Sequence, residues 1–481
     1  MMFNDPIGLA AQRLAQRFGA EIPTGFYSHV RTWLDWWRGY YKPFHTYQEL
    51  GADNAPRQRK LFKMDMAKRV CEDWAAILLN DKTEITVSHP GSSAFLMGAP
   101  GEKGLGGVLG QNNFWPQANR LLERAFACGT GAFVLRVQGL SVDKNGRVRP
   151  DMRCRIGIEY LDAMGIIPLS IENGRITECA FISEFTRLGK PMLYLETHTK
   201  DKNGNYVIEN ELFSVNGGAL QPEALPQGMA KRLDTGSRRP WFALIYPNQT
   251  VSVDGANGLG QSVYAGAVDN LMGVDLAFNN FLRDLKLGGK KVFVSRKMTC
   301  AGEGGVLVTP DDVAQSLFQM VGDELDFDAK QLIQEYNPKL RVEENKAALQ
   351  SQLDYLSFKC GLGTHRYKLT DGSVRTATEF TGERQELVQY AMRHMIVIEN
   401  ALVELCRGIL YIGREFCGAD ADPEAEIAVR FEDSFIISEE DSAKRDLGLV
   451  EAGIMPPWEY RVRHMGESAS TAQRMCAGAA V

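Results

Sequence analysis

Apolar residues change their spacing along the chain, and the changes mark out its organisation. Up to about residue 130 they recur at helical spacing, most clearly in MDMAKRVCEDWAAILLN, where Met66, Val70, Trp74, Ile77 and Leu78 share one face of a predicted core-facing helix. The nearby cluster of Trp33, Trp36, Trp37, Tyr40 and Tyr41 fits helix packing, with base stacking or an interface as the alternative. From Gly131 to about Tyr246 the period becomes alternation, in GAFVLRVQ, RCRIGIEYL, RITECAFISEF and PMLYLETHT. Asn145-Gly146, Asn173-Gly174 and Asn203-Gly204 lie between such runs, and both residue types tolerate the positive φ of tight hairpin turns. The pattern predicts an antiparallel region of meandering hairpins.

Helical spacing then returns in longer stretches. SVYAGAVDNLMGVDLAFNNFLRDLKLGG predicts a helix of about 27 residues, roughly 40 Å long, with Ala267, Leu271, Val274, Phe278, Phe281 and Leu285 as its stripe. Gly288 and Gly289 end it. The strand-like KKVFVSRKM and GGVLVTPDD follow, then a helix from Glu343 to Cys360, a polar segment, and a long helix from Thr376 to about Ile412. An acidic linker, CGADADPEAE, leads to the strand-like IAVRFED and two helices around Pro456-Pro457. The class expected is α+β. The polar segment GLGTHRYKLTDGSVRTATEF is longer than a plain connector, and it sets His365, Arg366, Lys368 and Arg375 against Asp371 alone. A basic loop of that kind calls for an anionic neighbour.

Composition narrows the possibilities. A chain of 481 residues has room for two or three domains of roughly 100 to 200 residues each. With 44% hydrophobic and 24% charged residues and no apolar run of about 18, it reads as a folded protein with no membrane partner. The opening MMFNDPIGLAAQRLAQRFG has neither a basic region before an apolar core nor a small-residue cleavage site, so the expected setting is inside the cell. Nine scattered cysteines without CxxC argue against a disulfide framework or zinc site and suggest buried free thiols. A net charge of −6 makes any DNA contact local and weak rather than a broad basic face.

Catalytic patterns are not found. GANGLGQS has P-loop spacing, but Gln261 stands where a lysine would reach phosphates, which favours a glycine-rich joint. GEKGLGGVLG fails the dinucleotide spacing at Leu109. The seven histidines form no short metal-ligand pattern, and no GxSxG nucleophile occurs. Acidic pairs such as Glu343-Glu344 suit first turns of helices. The expectation is a protein that is not an enzyme and needs no cofactor or metal.

The order of elements resembles the portal proteins of long-tailed double-stranded DNA bacteriophages. MDMAKRVCEDWAAILLN, GLGQSVYAGAVDNLMGVDLAFNNFLRDLKLGGKKVFVS and NPKLRVEENKAALQSQLDYLSFKCGLGTHRYKLTDGSVRTATEF carry the resemblance. It implies a homo-oligomeric ring, a dodecamer, at one capsid vertex, through which DNA is packaged and ejected with energy from a separate terminase ATPase. It also implies docking of terminase and head-completion or adaptor proteins, contacts with major capsid and scaffold proteins, and assembly in the host cytoplasm before residence in the virion. By the same resemblance residues 1–260 are a wing, 261–287 a stem helix, 288–341 a small α/β clip, and 342–360 a second stem helix. Residues 361–375 are then a tunnel loop, 376–412 a long helix, and 413–481 a wing return and short helical crown. His365, Arg366, Lys368 and Arg375 become DNA-facing; Leu271, Phe278, Phe281 and Leu285 a subunit interface; Arg296 and Lys297 part of the clip's docking surface. Another phage head or connector protein, or an enzyme of unrecognised type, remains the alternative.

Overall fold

Helices and mostly antiparallel sheets make up the chain, an α+β arrangement. The computed structural model describes residues 5–19, 21–50, 54–80, 82–98, 106–142, 148–149, 154–226, 229–295, 318–321, 333–369, 377–431, 439–467 and 469–478. Near the amino terminus α1 (Pro6–Phe18), α2 (Tyr27–Trp37), α3 (Met66–Leu78) and α4 (Phe114–Cys128) form a helical layer. The predicted face of α3 is buried throughout, with Trp74 at its centre. Trp33 and Trp36 are buried, and the Trp37 indole N–H donates to Glu123 at 3.0 Å, so this cluster packs the core. The helical expectation for the first 130 residues misses a hairpin, Thr46–Leu50 with Pro56–Lys60, and a strand, Glu84–Val87. Both hairpin strands are exposed on both faces, so TYQEL and PRQRK lack the alternating signal that burial imposes.

Alternation gives strands where it was predicted. β1 (Gly131–Gln138) is flanked by β2 (Arg155–Asp162) and β8 (Phe242–Ile245). β3 (Ile166–Glu172), β4 (Arg175–Arg187), β5 (Lys190–Lys200), β6 (Tyr206–Asn216) and β7 (Ala219–Glu223) follow as an antiparallel meander. Asn173 and Gly174 take φ of 52° and 74° in a two-residue turn, as their types demand. Asn203-Gly204 lies in a longer turn, because the Asp201 carboxylate accepts the N–H groups of Asn203 and Asn205, each at 2.8 Å. Asn145-Gly146 lies outside the described residues.

The helix predicted from SVYAGAVDNLMGVDLAFNNFLRDLKLGG is shorter than expected. α5 runs Val268–Leu287, 20 residues or about 30 Å, because the preceding segment spends its hydrogen bonds elsewhere. Val263 N–H donates to Phe126 O at 2.9 Å and the Tyr264 hydroxyl to Trp33 O at 2.7 Å, which tethers the joint to α2 and α4. Gln261 bonds Thr250 O and Ser252 N at 3.0 and 2.8 Å and so closes the glycine-rich loop on itself. After α5 comes a mixed sheet, β9 (Lys291–Ser295) between parallel β10 (Phe318–Val321) and antiparallel β11 (Ile333–Tyr336). α6 (Val342–Lys359) returns antiparallel to α5: Asp284 meets Arg341 at 2.6 Å, while Gly273 lies against Gln352 farther along.

α7 (Ala377–Phe416) spans 40 residues, about 60 Å, and passes the predicted end at Ile412. The return strand Ile427–Arg430 pairs with Glu84–Val87. α8 (Glu439–Glu451) and α9 (Pro457–Met465) flank the proline pair as expected, and α10 (Ala469–Gly478) is an addition. The free-thiol expectation is corrected at two positions: Cys154 and Cys417 form a disulfide with 5.7 Å between Cα atoms. They lie 263 residues apart, so no local spacing could announce the pair; docking of the end of α7 beside β2 creates it. Cys71, Cys128, Cys179, Cys360 and Cys406 are buried free thiols, and burial pushes Cys360 up to about 12. Among the described residues no helix is long and apolar enough to cross a membrane.

Candidate channel loop and assembly face

The segment after α6 folds back as soon as that helix ends. Gly361 takes φ of 75°, and a Cβ there would come within 2.8 Å of the Tyr390 ring on α7, so glycine is required on two counts. Leu362 is buried, Ser357 Oγ donates to Gly363 O, and the Trp74 indole donates to Cys360 O at 3.1 Å. One side chain then holds the loop along α6: Gln350 donates to Tyr367 O at 2.8 Å and accepts from Leu369 N at 3.0 Å. This part of the predicted tunnel loop is fastened between α3, α6 and α7.

Its basic residues have different surroundings. His365 Nδ1 lies 3.2 Å from Asp354 on α6. Arg366 reaches Asp73 of α3 at 3.3 Å, and Arg69 shares that buried carboxylate at 2.9 Å. Burial, followed by the Asp73 charge, raises the Tyr367 hydroxyl far above the usual phenol range. Lys368 is exposed and has no ion pair among the described residues. Arg375 lies outside them. Of the predicted set, Arg366 is thus paired within its own chain although its side chain is exposed, and Lys368 is the described cation without such a pair.

The α5 stripe is also graded. Leu271 is only 2% exposed and packs in its own core, so it is withdrawn from the predicted subunit interface. Phe278 and Phe281 are half-buried, and Leu285 is 40% exposed. Outward apolar side chains continue on the neighbouring helices, with Tyr355 and Phe358 on α6 and Met392 and Ile396 on α7. The root of α5 is held by polar bonds that periodicity does not reveal. Asp275 is buried, accepts Met64 N–H at 2.8 Å and meets His45 Nε2 at 3.0 Å. Burial raises its carboxyl despite both partners. Arg296 and Lys297 fall outside the described residues; nearby, Lys290 pairs with Glu335 at 2.6 Å across the small sheet.

A second cluster that sequence reading missed lies between the β sheets. Glu196 is buried with Arg136 Nε at 2.7 Å and His198 Nε2 at 2.8 Å. Burial favours the neutral acid, but the His198 hydrogen bond and the Arg136 charge outweigh it and bring Glu196 down to about 2. Glu196 and His198 sit two apart on β5 and Arg136 lies on β1 in a different sheet, so only the packing of the two sheets brings them together. Among the described residues no group of three or more His, Cys, Asp or Glu side chains could hold a metal ion. Compared with protein-family models and with curated proteins, the chain matches none.

Proposed function

We propose that this chain is a phage portal subunit, forming the ring at one capsid vertex through which double-stranded DNA is packaged and ejected. In this reading it also docks terminase and head-completion proteins and performs no catalysis itself. The observation that carries the reading is the unburied apolar surface along α5, α6 and α7, where Leu285, Tyr355, Phe358, Met392 and Ile396 face outward from helices that otherwise pack well. Apolar patches of this kind mark interaction sites. A heterologous contact that closes by rotation would bury them in every copy of a ring.

The paired helices capped by a small sheet, with a fastened loop at the other end, support the assignment of stem, clip and tunnel loop. Repetition of Lys368 around a ring would make a collar of single cations that touches phosphates without reading sequence. Such contacts suit DNA that must slide. Light scattering and negative-stain imaging of the purified full chain test the proposal: rings with a central hole are expected. Compact monomers at every concentration tried would overturn it.

A further inference from the structure

The hairpin Thr46–Leu50/Pro56–Lys60 is an arm without a body beneath it. Among the described residues its strands pair only with each other, and every side chain from Tyr47 to Leu50 and from Pro56 to Lys60 is exposed. An isolated two-stranded ribbon is marginal in water, and both edges of this one are open. Its root is nevertheless firm. The Tyr40 hydroxyl meets Thr46 Oγ1 at 2.6 Å, and Asn279 of α5 bonds both backbone groups of Phe62, at 2.9 and 2.6 Å. A firmly rooted arm with uncovered strands implies a covering surface elsewhere.

The chemistry of the arm narrows the partner. Arg57, Arg59 and Lys60 lie on one strand, while the other offers Glu49, already paired with Arg59 at 3.2 Å. Exposed apolar groups, Tyr47, Leu50 and Phe62, accompany these cations. A mixed basic and apolar surface fits a protein better than a phosphate backbone, and a chain of net charge −6 is itself an acidic partner. The end of α7 and the return segment after it expose Glu415, Asp420, Glu424 and Glu426. Arg414 and Arg239 pair with Glu415 and Glu424 at 3.0 and 2.6 Å, while Asp420 and Glu426 have no ion pair among the described residues.

We infer that the hairpin of one copy docks on the acidic return segment of a second copy of this chain. The inference rests on the ring reading and adds a named contact to it. Donor and acceptor surfaces on different parts of one subunit are what a heterologous, closing interface uses.

The test uses the full chain with Arg57→Glu, Arg59→Glu and Lys60→Glu together, and a second variant adding Asp420→Lys and Glu426→Lys. Melting of the unassembled chain should shift little in both, because the contacts these side chains make, Arg59 with Glu49 among them, lie at the exposed surface where ion pairs contribute little. At low salt the triple variant should need about tenfold more protein for half-assembly by mass photometry, the gap should narrow at high salt, and the reversed acidic pair should restore assembly. Monomeric wild type would overturn the portal reading and the arm with it. Wild-type rings with an unaffected triple variant would overturn the arm alone, as would failure of the reversed pair to restore assembly. Loss of duplex DNA binding in the triple variant with rings intact would make the ribbon a nucleic-acid contact instead.

Discussion

The space between the β sheets and the outer surfaces of α5, α6 and α7 handle burial in opposite ways. Between the sheets the chain buries charge and pairs it internally: Glu196 takes both Arg136 Nε and His198 Nε2, although Arg136 Nη2 and His198 Nδ1 stay buried without a partner among the described residues. Along the helices it leaves apolar side chains in water while its charges pair at the surface, as Asp284 does with Arg341. The first region pairs its buried carboxylate within the single chain. The second has surface to spare, and that contrast supports an assembly in which the helices, not the sheets, meet their neighbours.

The comparison breaks most sharply at Glu196. Glu196→Ala leaves Arg136 and His198 without their shared buried partner, and a loss of about 3–5 kcal/mol is expected from equilibrium urea unfolding of the unassembled chain. A loss below about 1 kcal/mol would mean that the cluster is not a self-contained buried network. Because the folded-state carboxyl is depressed to about 2, its contribution is present above the unfolded carboxylate range and is lost as pH falls through about 4 toward 2.

His394 gives the next effect, at the point where α7 meets the helical layer. Burial, helped by Arg393, lowers it to about 4, and its Nδ1 accepts the Asn248 N–H at 2.9 Å between the rings of Trp74 and Phe126. The unfolded chain takes up this proton near pH 6.5 and the folded chain only near 4, so stability is full above about 6.5 and falls as pH drops through that window. The fall should amount to about 3 kcal/mol across the window, and it should flatten in His394→Gln when unfolding is followed at several pH values. An unchanged slope in that variant would place the titration elsewhere.

Sequence pattern revealed what repeats along the chain and missed what depends on pairing. The α3 face and the α7 helix were legible because burial imposes a period on neighbouring residues, and the β1–β6 strands because turn residues punctuate short apolar runs. The Thr46–Lys60 hairpin was not, because exposure on both faces removes that period. Arg366 and Lys368 look alike in THRYKLTD, yet Asp73, which separates their roles, lies 293 residues before Arg366. The Cys154–Cys417 bond and the Asp275–His45 pair escaped for the same reason.

On the outward helical face a change should matter to assembly alone. Ile396 is 58% exposed, so Ile396→Lys should alter unfolding of the single chain by no more than about 0.5 kcal/mol. If the proposed ring buries this face, the lysine would place a charge at every interface, and assembly measured by mass photometry should fall. Phe278→Asp is a poorer probe, because Phe278 already packs partly against its own core. Full assembly of the Ile396 variant would leave α7 outside the interface.

The last test separates the two neighbouring cations of the loop. Arg366→Ala removes one of the two arginines on buried Asp73, so it should cost about 1–3 kcal/mol of stability whether or not DNA is present. Arg69 stays in place and limits the loss. Lys368→Ala removes an exposed side chain with no ion pair among the described residues, so folding and ring formation should stay at the wild-type level. If the loop lines a DNA channel, what changes is handling of the duplex: packaged DNA, scored by nuclease protection in purified procapsids, should be retained less well. The deficit should shrink as salt rises, because each phosphate contact is an exchange with counterions. A Lys368 variant that packages and retains DNA like wild type at low salt would show that this cation does not serve the channel. An Arg366 variant that weakens retention without any loss of stability would show that Asp73 releases its arginine when DNA arrives.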